Sequence, residues 1–177
     1  KVILVPGIMH MSMDLKDALS KAEAHVVIGP RAAARDSDMT IPLPLPPDLK
    51  GFDVSVVRVE SLRPDMPLPL DQGGVALKYR EILEGSAFVV LHAEDQSPVA
   101  MRHENMTYLG AWLDQVGFRR LFKNVCQLAH CETIDLPEGV RTRKIEREKF
   151  WFNYDTVSHK IEGKDFPPIS VKREVLK

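Results

Sequence analysis

Cys126, His130 and Cys131 form the densest group of potential soft metal ligands in this sequence, since zinc takes thiolate and imidazole together. A structural zinc site, however, draws four ligands from paired knuckles. Here three candidates crowd one helix terminus and no second pair exists elsewhere, so free thiols and no metal are expected. His92 and Glu94 follow a core strand and could act as a base and its carboxylate, although a polar strand end facing solvent accounts for them as well. A nucleophilic cysteine would sit at a tight strand-to-helix turn. The turns after Val5, Ile28 and Leu91 hold no cysteine, and no Gly-x-Ser-x-Gly occurs. Val5-Pro6-Gly7 and Ile28-Gly29-Pro30 each place one glycine beside a proline, which has no N–H to offer a phosphate. No catalytic residue, cofactor or metal is therefore expected in this chain.

Two further groups bear on binding. Arg31, Arg35, Asp36 and Asp38 share one loop. Guanidinium forks suit carboxylates, so these four are candidates for an interface; the plainer reading ties Arg31 to Asp36 or Asp38. In the tail, Arg141, Arg143, Lys144, Arg147 and Lys149 alternate with Glu146 and Glu148. This suits a solvated hairpin that resists edge-to-edge pairing better than an RNA site. Phe150, Trp151, Phe152 and Tyr154 could offer a sugar platform. Strand alternation puts Phe150, Phe152 and Tyr154 on one face and Trp151 with Asn153 on the other, so most of the cluster is expected in a core.

The elements that must position these groups come from a chain of 177 residues with a net charge of −1, 44% hydrophobic and 28% charged. That balance excludes a general electrostatic attraction to nucleic acid or membranes, and neither is expected as a partner. Two cysteines without a disulfide pattern point to a reducing compartment, the cytoplasm by default. The chain opens at Lys1 and enters Val2-Ile3-Leu4-Val5 with no polar lead-in. A continuous β-branched run suits a strand buried on both faces of a parallel sheet, so a fragment or a matured tail is expected.

Val2 to Val5, a helix carrying Leu15, Ala18, Leu19 and Ala22 with Ser12 or Asp14 as cap, and His25 to Ile28 read as a β-α-β unit. Such a unit predicts a doubly wound sheet. Residues 30–50 hold Pro42, Pro44, Pro46 and Pro47 and read as an extended loop outside the core. Val54 to Val59 is a strand. Val75 to Leu83 and Ala87 to Leu91 read as a strand pair around Glu84-Gly85, followed by short strands at Met101 to His103 and Met106 to Leu109. Asp114 caps a helix whose stripe is Phe118, Leu121, Phe122, Val125 and Leu128. After Cys131 only short strands follow, which places a boundary near Ile134: an α/β domain over 1–134 and a small antiparallel β domain over 135–177.

The order of Ile28-Gly29-Pro30-Arg31, Tyr108-Leu109-Gly110, Leu113-Asp114, Leu136-Pro137-Glu138-Gly139-Val140 and Phe152-Asn153-Tyr154 resembles the rear part of family-42 β-galactosidases. The resemblance implies a trimerisation domain similar in fold to flavodoxin and glutamine amidotransferases, with a parallel or mixed sheet incomplete at its N-terminus, followed by the family's small C-terminal β domain. It also implies a homotrimer through the α/β domain and a catalytic barrel as partner within one polypeptide. In that family the acid/base glutamate follows an asparagine, whereas Asn105, Asn124 and Asn153 here precede Met, Val and Tyr. Neither that motif nor room for eight strand-helix repeats is present. The expected role is assembly of an enzyme that hydrolyses terminal β-D-galactosides, without catalysis by this segment. A stand-alone amidotransferase-like domain and a carbohydrate-binding module remain the alternatives.

Overall fold

The computed structural model describes residues 1–176, and the chain divides into two compact units, Lys1–Glu132 and Thr133–Lys177. The first unit runs β1 (Val2–Val5), α1 (Met13–Ser20), β2 (His25–Ile28), β3 (Pro47–Leu49), β4 (Phe52–Ser61) and β5 (Leu68–Pro69). It continues through β6 (Val75–Glu84), β7 (Phe88–His92), β8 (Pro98–His103), β9 (Met106–Leu109), β10 (Ala111–Leu113) and α2 (Gln115–Leu128).

Its strands form two five-stranded sheets. In the first, ordered β1-β2-β9-β8-β7, β1, β2 and β9 are parallel, while β9, β8 and β7 run antiparallel. The second is antiparallel, ordered β10-β6-β4-β3 with β5 on β6. The β1-α1-β2 crossover thus stands as the sequence predicts, with the Ser12 hydroxyl accepting from Leu15 N–H at 3.3 Å. The doubly wound sheet does not. Among the described residues α1 is the one helix joining parallel strands, and later links are hairpins and loops that cannot cover two sheet faces with helices. The chain is mostly β.

Three other expectations change. β1 lies at a sheet edge with Ile3 and Leu4 exposed, whereas its neighbour β2, like β9, is buried throughout. β6 and β7 do not pair: Gly85, at φ 142°, turns the chain out of one sheet and into the other. A side chain there would meet the Asp53 carbonyl oxygen at 2.1 Å. The proline-rich loop also returns to the core, because Pro47 to Leu49 form β3 on β4 and Leu49 is buried.

Gly110 carries the chain between sheets in a single residue. Its N–H donates to the Val99 carbonyl at 2.8 Å and its carbonyl accepts from Glu81 N–H at 2.6 Å. Leu83 carbons lie 3.1 Å from where its Cβ would stand, so only glycine fits without displacing that side chain. α2 then starts on Asp114, whose Oδ1 accepts from Gly117 N–H at 2.9 Å and from Val75 N–H at 3.1 Å. Leu121 and Val125 are buried as the stripe predicts, but Leu128 is exposed in the last turn. Because Asp114 closes both a helix start and the entry of β6, Asp114→Ala is expected to cost about 1–2 kcal/mol. A urea midpoint shifted at constant slope measures it.

The second unit holds β11 (Val140–Ile145), β12 (Glu148–Asn153), β13 (His159–Ile161), β14 (Lys164–Phe166) and β15 (Ser170–Val175). Antiparallel β11-β12-β15 and the β13-β14 hairpin enclose Val140, Trp151, Ile161 and Phe166. The alternation along β12 is as predicted, but the core takes the smaller set: Trp151 and Asn153 are 1% and 2% exposed, while Tyr154 is 65% exposed and stacks on half-buried Phe152. Asn153 explains the choice. Its Nδ2 donates to the carbonyls of Val157, Phe166 and Pro167 at 2.7 to 3.1 Å, ordering the loops over that face.

Candidate functional site

Glu81 is an acid on β6, the central strand of the antiparallel sheet, and only 3% exposed. A carboxylate at that depth must be satisfied by hydrogen bonds or lose its charge. Three donors converge on it. The Tyr79 hydroxyl, two residues earlier on the same strand face, donates to Oε1 at 2.8 Å, and the Tyr108 hydroxyl donates to Oε2 at 2.7 Å. The Arg31 backbone N–H completes the set at 2.9 Å from Oε1. Tyr108 belongs to β9 in the first sheet and Arg31 to the loop after β2, so one carboxylate ties both sheets and that loop together.

Local backbone supports this. Arg31 takes the left-handed conformation at φ 66°, which costs a non-glycine residue about 1–2 kcal/mol, and the bond from its N–H to Glu81 offsets that cost. Burial pushes the Glu81 carboxyl above its ordinary value, opposed by the bonds from Tyr108, Tyr79 and Arg31. Burial and the Glu81 charge push both phenols upward, so they stay neutral and donating.

Above this cluster lies a cavity of about 280 Å³, with Tyr79 and Glu81 joined by Met9, Leu45, Val57 and Arg35 in its lining. A β-bulge between Val56 and Arg58 interrupts β4 at its wall, a device that re-aims side chains beside binding sites. Among the described residues Glu81 is the one carboxylate in the lining. Retaining glycoside hydrolysis needs two carboxyl groups about 5–5.5 Å apart, so the cavity as built can bind and position but holds no such pair.

The sequence candidates distribute unevenly. Arg31 and Arg35 line the cavity; Asp36 and Asp38 do not. Asp36 instead accepts from the backbone N–H groups of Asp38 and Thr40 and from the Thr40 hydroxyl, which holds its carboxyl below the usual range. It closes its own turn rather than pairing with Arg31. His92 has Asp71 as its nearest acid, at 3.7 Å from Nδ1, not Glu94. Cys126 and Cys131 are free and half-buried, with the Cys131 thiol directed at the Ala129 carbonyl. Trp151, buried as described, offers no stacking face. Glu81, Tyr79 and Tyr108 escape sequence reasoning because an acid inside a β-rich run looks like a solvent-side residue. The signal was the alternation Tyr79-Arg80-Glu81-Ile82-Leu83, which puts Glu81 on the face of buried Leu83. Among the described residues no helix is long and apolar enough to cross a membrane.

No family model matches the chain. A β-galactosidase from Thermus thermophilus is 31% identical over 157 residues, covering 85% of this chain and 24% of that protein. BgaA, a β-galactosidase of a Thermus species, matches over the same shares at 31% identity. The chain thus spans about a quarter of the length of these relatives. Among solved structures, the β-galactosidase of the psychrophilic Marinomonas ef1 superposes with a TM-score of 0.91 at 21% identity, covering 99% of this chain and 29% of that one. Gan42B, a GH42 β-galactosidase, superposes at 0.73 with 13% identity over 98% of this chain and 31% of that one. These last two show a shared fold.

Proposed function

We propose, on the premise that this chain corresponds to one portion of family-42 β-galactosidases, that its role is assembly and that catalysis resides elsewhere in the whole enzyme. That enzyme would hydrolyse terminal β-D-galactosides with retention. The Lys1–Glu132 unit would be the trimerisation domain, its β1-α1-β2 unit and β9 representing the flavodoxin-like part of the sheet, and Thr133–Lys177 the C-terminal β domain. The partners are two further copies and the catalytic barrel.

The observation that carries this reading is an exposed apolar surface around the cavity. Met39, Ile41 and Leu43 in the proline-rich loop are 60%, 61% and 88% exposed, and Val57 and Val59 on β4 are 41% and 53% exposed. Contiguous apolar exposure of this kind marks interaction surfaces. Light scattering on the purified chain should give three times the mass of one copy, and Val57→Asp with Val59→Asp should give a single copy. A monomer at all concentrations for both proteins would overturn assembly through this face. The chain is also expected to leave a chromogenic β-galactoside unhydrolysed, and turnover by pure protein would remove the non-catalytic assignment.

A further inference from the structure

We propose that the cavity beside Arg31 and Arg35 receives a carboxylate side chain, presented by an apolar segment of another polypeptide. This rests on the assembly reading above and names the chemistry of the partner. The first support is charge accounting at the cavity floor. Glu81 is satisfied by the Tyr79 and Tyr108 hydroxyls and the Arg31 backbone N–H, so its hydrogen bonds require no guanidinium. Arg31 acts on the Glu81 charge through space without bonding it, and the direct contacts of both arginine side chains are neutral. Arg31 Nη2 lies 3.8 Å from the Met9 sulfur and its guanidinium 5.8 Å from the Tyr79 ring centre. Arg35 Nη1 donates to the Ala34 carbonyl at 2.8 Å. Three arginines of this unit do carry acids: Arg58 pairs with Glu60 at 2.7 Å, Arg63 with Asp65 at 2.8 Å, and Arg80 with Glu60 at 2.6 Å and Asp95 at 2.7 Å. Among the described residues no carboxylate stands within ion-pair distance of Arg31 or Arg35. A guanidinium carries five donors in a fixed fork, and most of those on Arg31 and Arg35 remain open to a ligand.

The second support is the shape of the surround. An acid small enough to fill about 280 Å³ would leave Met39 and Leu43, exposed beyond the lining, in water. The apolar rim extends past the cavity, so the occupant is a polypeptide that covers the rim while one acidic side chain enters. A basic segment fits less well, because it would meet two guanidinium groups with no acid at ion-pair distance and a carboxylate already covered by donors.

Nuclear magnetic resonance on the full chain tests this with three probes: a short capped peptide bearing glutamate between leucines, the same peptide with glutamine, and butanoate. The glutamate peptide should shift the Arg31 and Arg35 Nε–H signals and the Val57 and Val59 methyls. It should bind at least about tenfold more tightly than the glutamine peptide, since charge-assisted bonds are roughly twice as strong as neutral ones. Arg31→Gln with Arg35→Gln, which keeps the Arg31 backbone bond to Glu81, should erase that preference while leaving the melting temperature unchanged. Equal affinity of the two peptides, no binding up to millimolar concentration, or butanoate binding as tightly as the glutamate peptide would each overturn the proposal. Light scattering separates the two readings. If Val57→Asp with Val59→Asp abolishes association but the arginine pair and the peptides do not affect it, assembly through this face stands and the carboxylate pocket falls.

Discussion

Glu81→Ala is expected to lower the stability of the Lys1–Glu132 unit by about 3–5 kcal/mol, the largest effect of any single substitution in that unit. Removing the carboxylate strands the Tyr108 hydroxyl, the Tyr79 hydroxyl and the Arg31 N–H together, and each buried orphan costs about 1–3 kcal/mol. The lower part of the sum applies because Tyr79 is only half-buried and lines a cavity that water can enter. Urea unfolding at constant slope measures the loss. Glu81→Gln keeps the shape and an acceptor oxygen, so it should cost less. It also isolates the charge. Burial raises the Glu81 carboxyl in the folded state, so the fold holds that proton more tightly than the unfolded chain. The associated stability is complete below the ordinary glutamate value and is lost as pH rises through the raised folded value. Wild-type stability minus that of Glu81→Gln should therefore fall with rising pH. A difference that rises instead would mean that the three donors outweigh burial.

Trp151→Ala should unfold the second unit outright. A buried tryptophan truncated to alanine costs about 3–5 kcal/mol, which matches the whole margin that a single core supplies in a unit this small. The ring packs at 5.3 Å from the Phe166 ring, carries the Lys149 ammonium over its face at 3.9 Å, and its Nε1 donates to Glu174 at 3.3 Å, so the loss reaches β14 and β15 as well. Hydrogen exchange along β11 and β12 should lose its protection, while amides of β6 and β9 keep theirs. Tyr154→Ser, on the exposed face, should stay within about 0.5 kcal/mol. A Tyr154 effect as large as that of Trp151 would place the core on the other side of β12.

What could be read from the sequence follows the range over which each signal acts. Ser12 and Asp114 declare helix starts within a few residues, and both caps form. The alternation through Phe150 to Tyr154 is local and correct, yet which set is buried depends on Asn153 reaching three carbonyls further along the chain. Glu84-Gly85 looks like a hairpin because pairing across a turn is the nearest option, whereas β6 finds β4 and β10 instead. Arg31 and Arg35 stand out by type and do line the cavity, but its floor joins residues from β6 and β9 that no spacing rule connects. A buried acid becomes visible only once the hydroxyls that satisfy it are in place.

The passage of the chain through Gly110 has a dynamic consequence. That residue donates into one sheet and accepts from the other, so its peptide groups cannot be released from β8 without also loosening β6. The first unit should then open as one foldon, the slowest amides of both sheets exchanging with a common free energy. A side chain forced in at Gly110 would split that single opening into two.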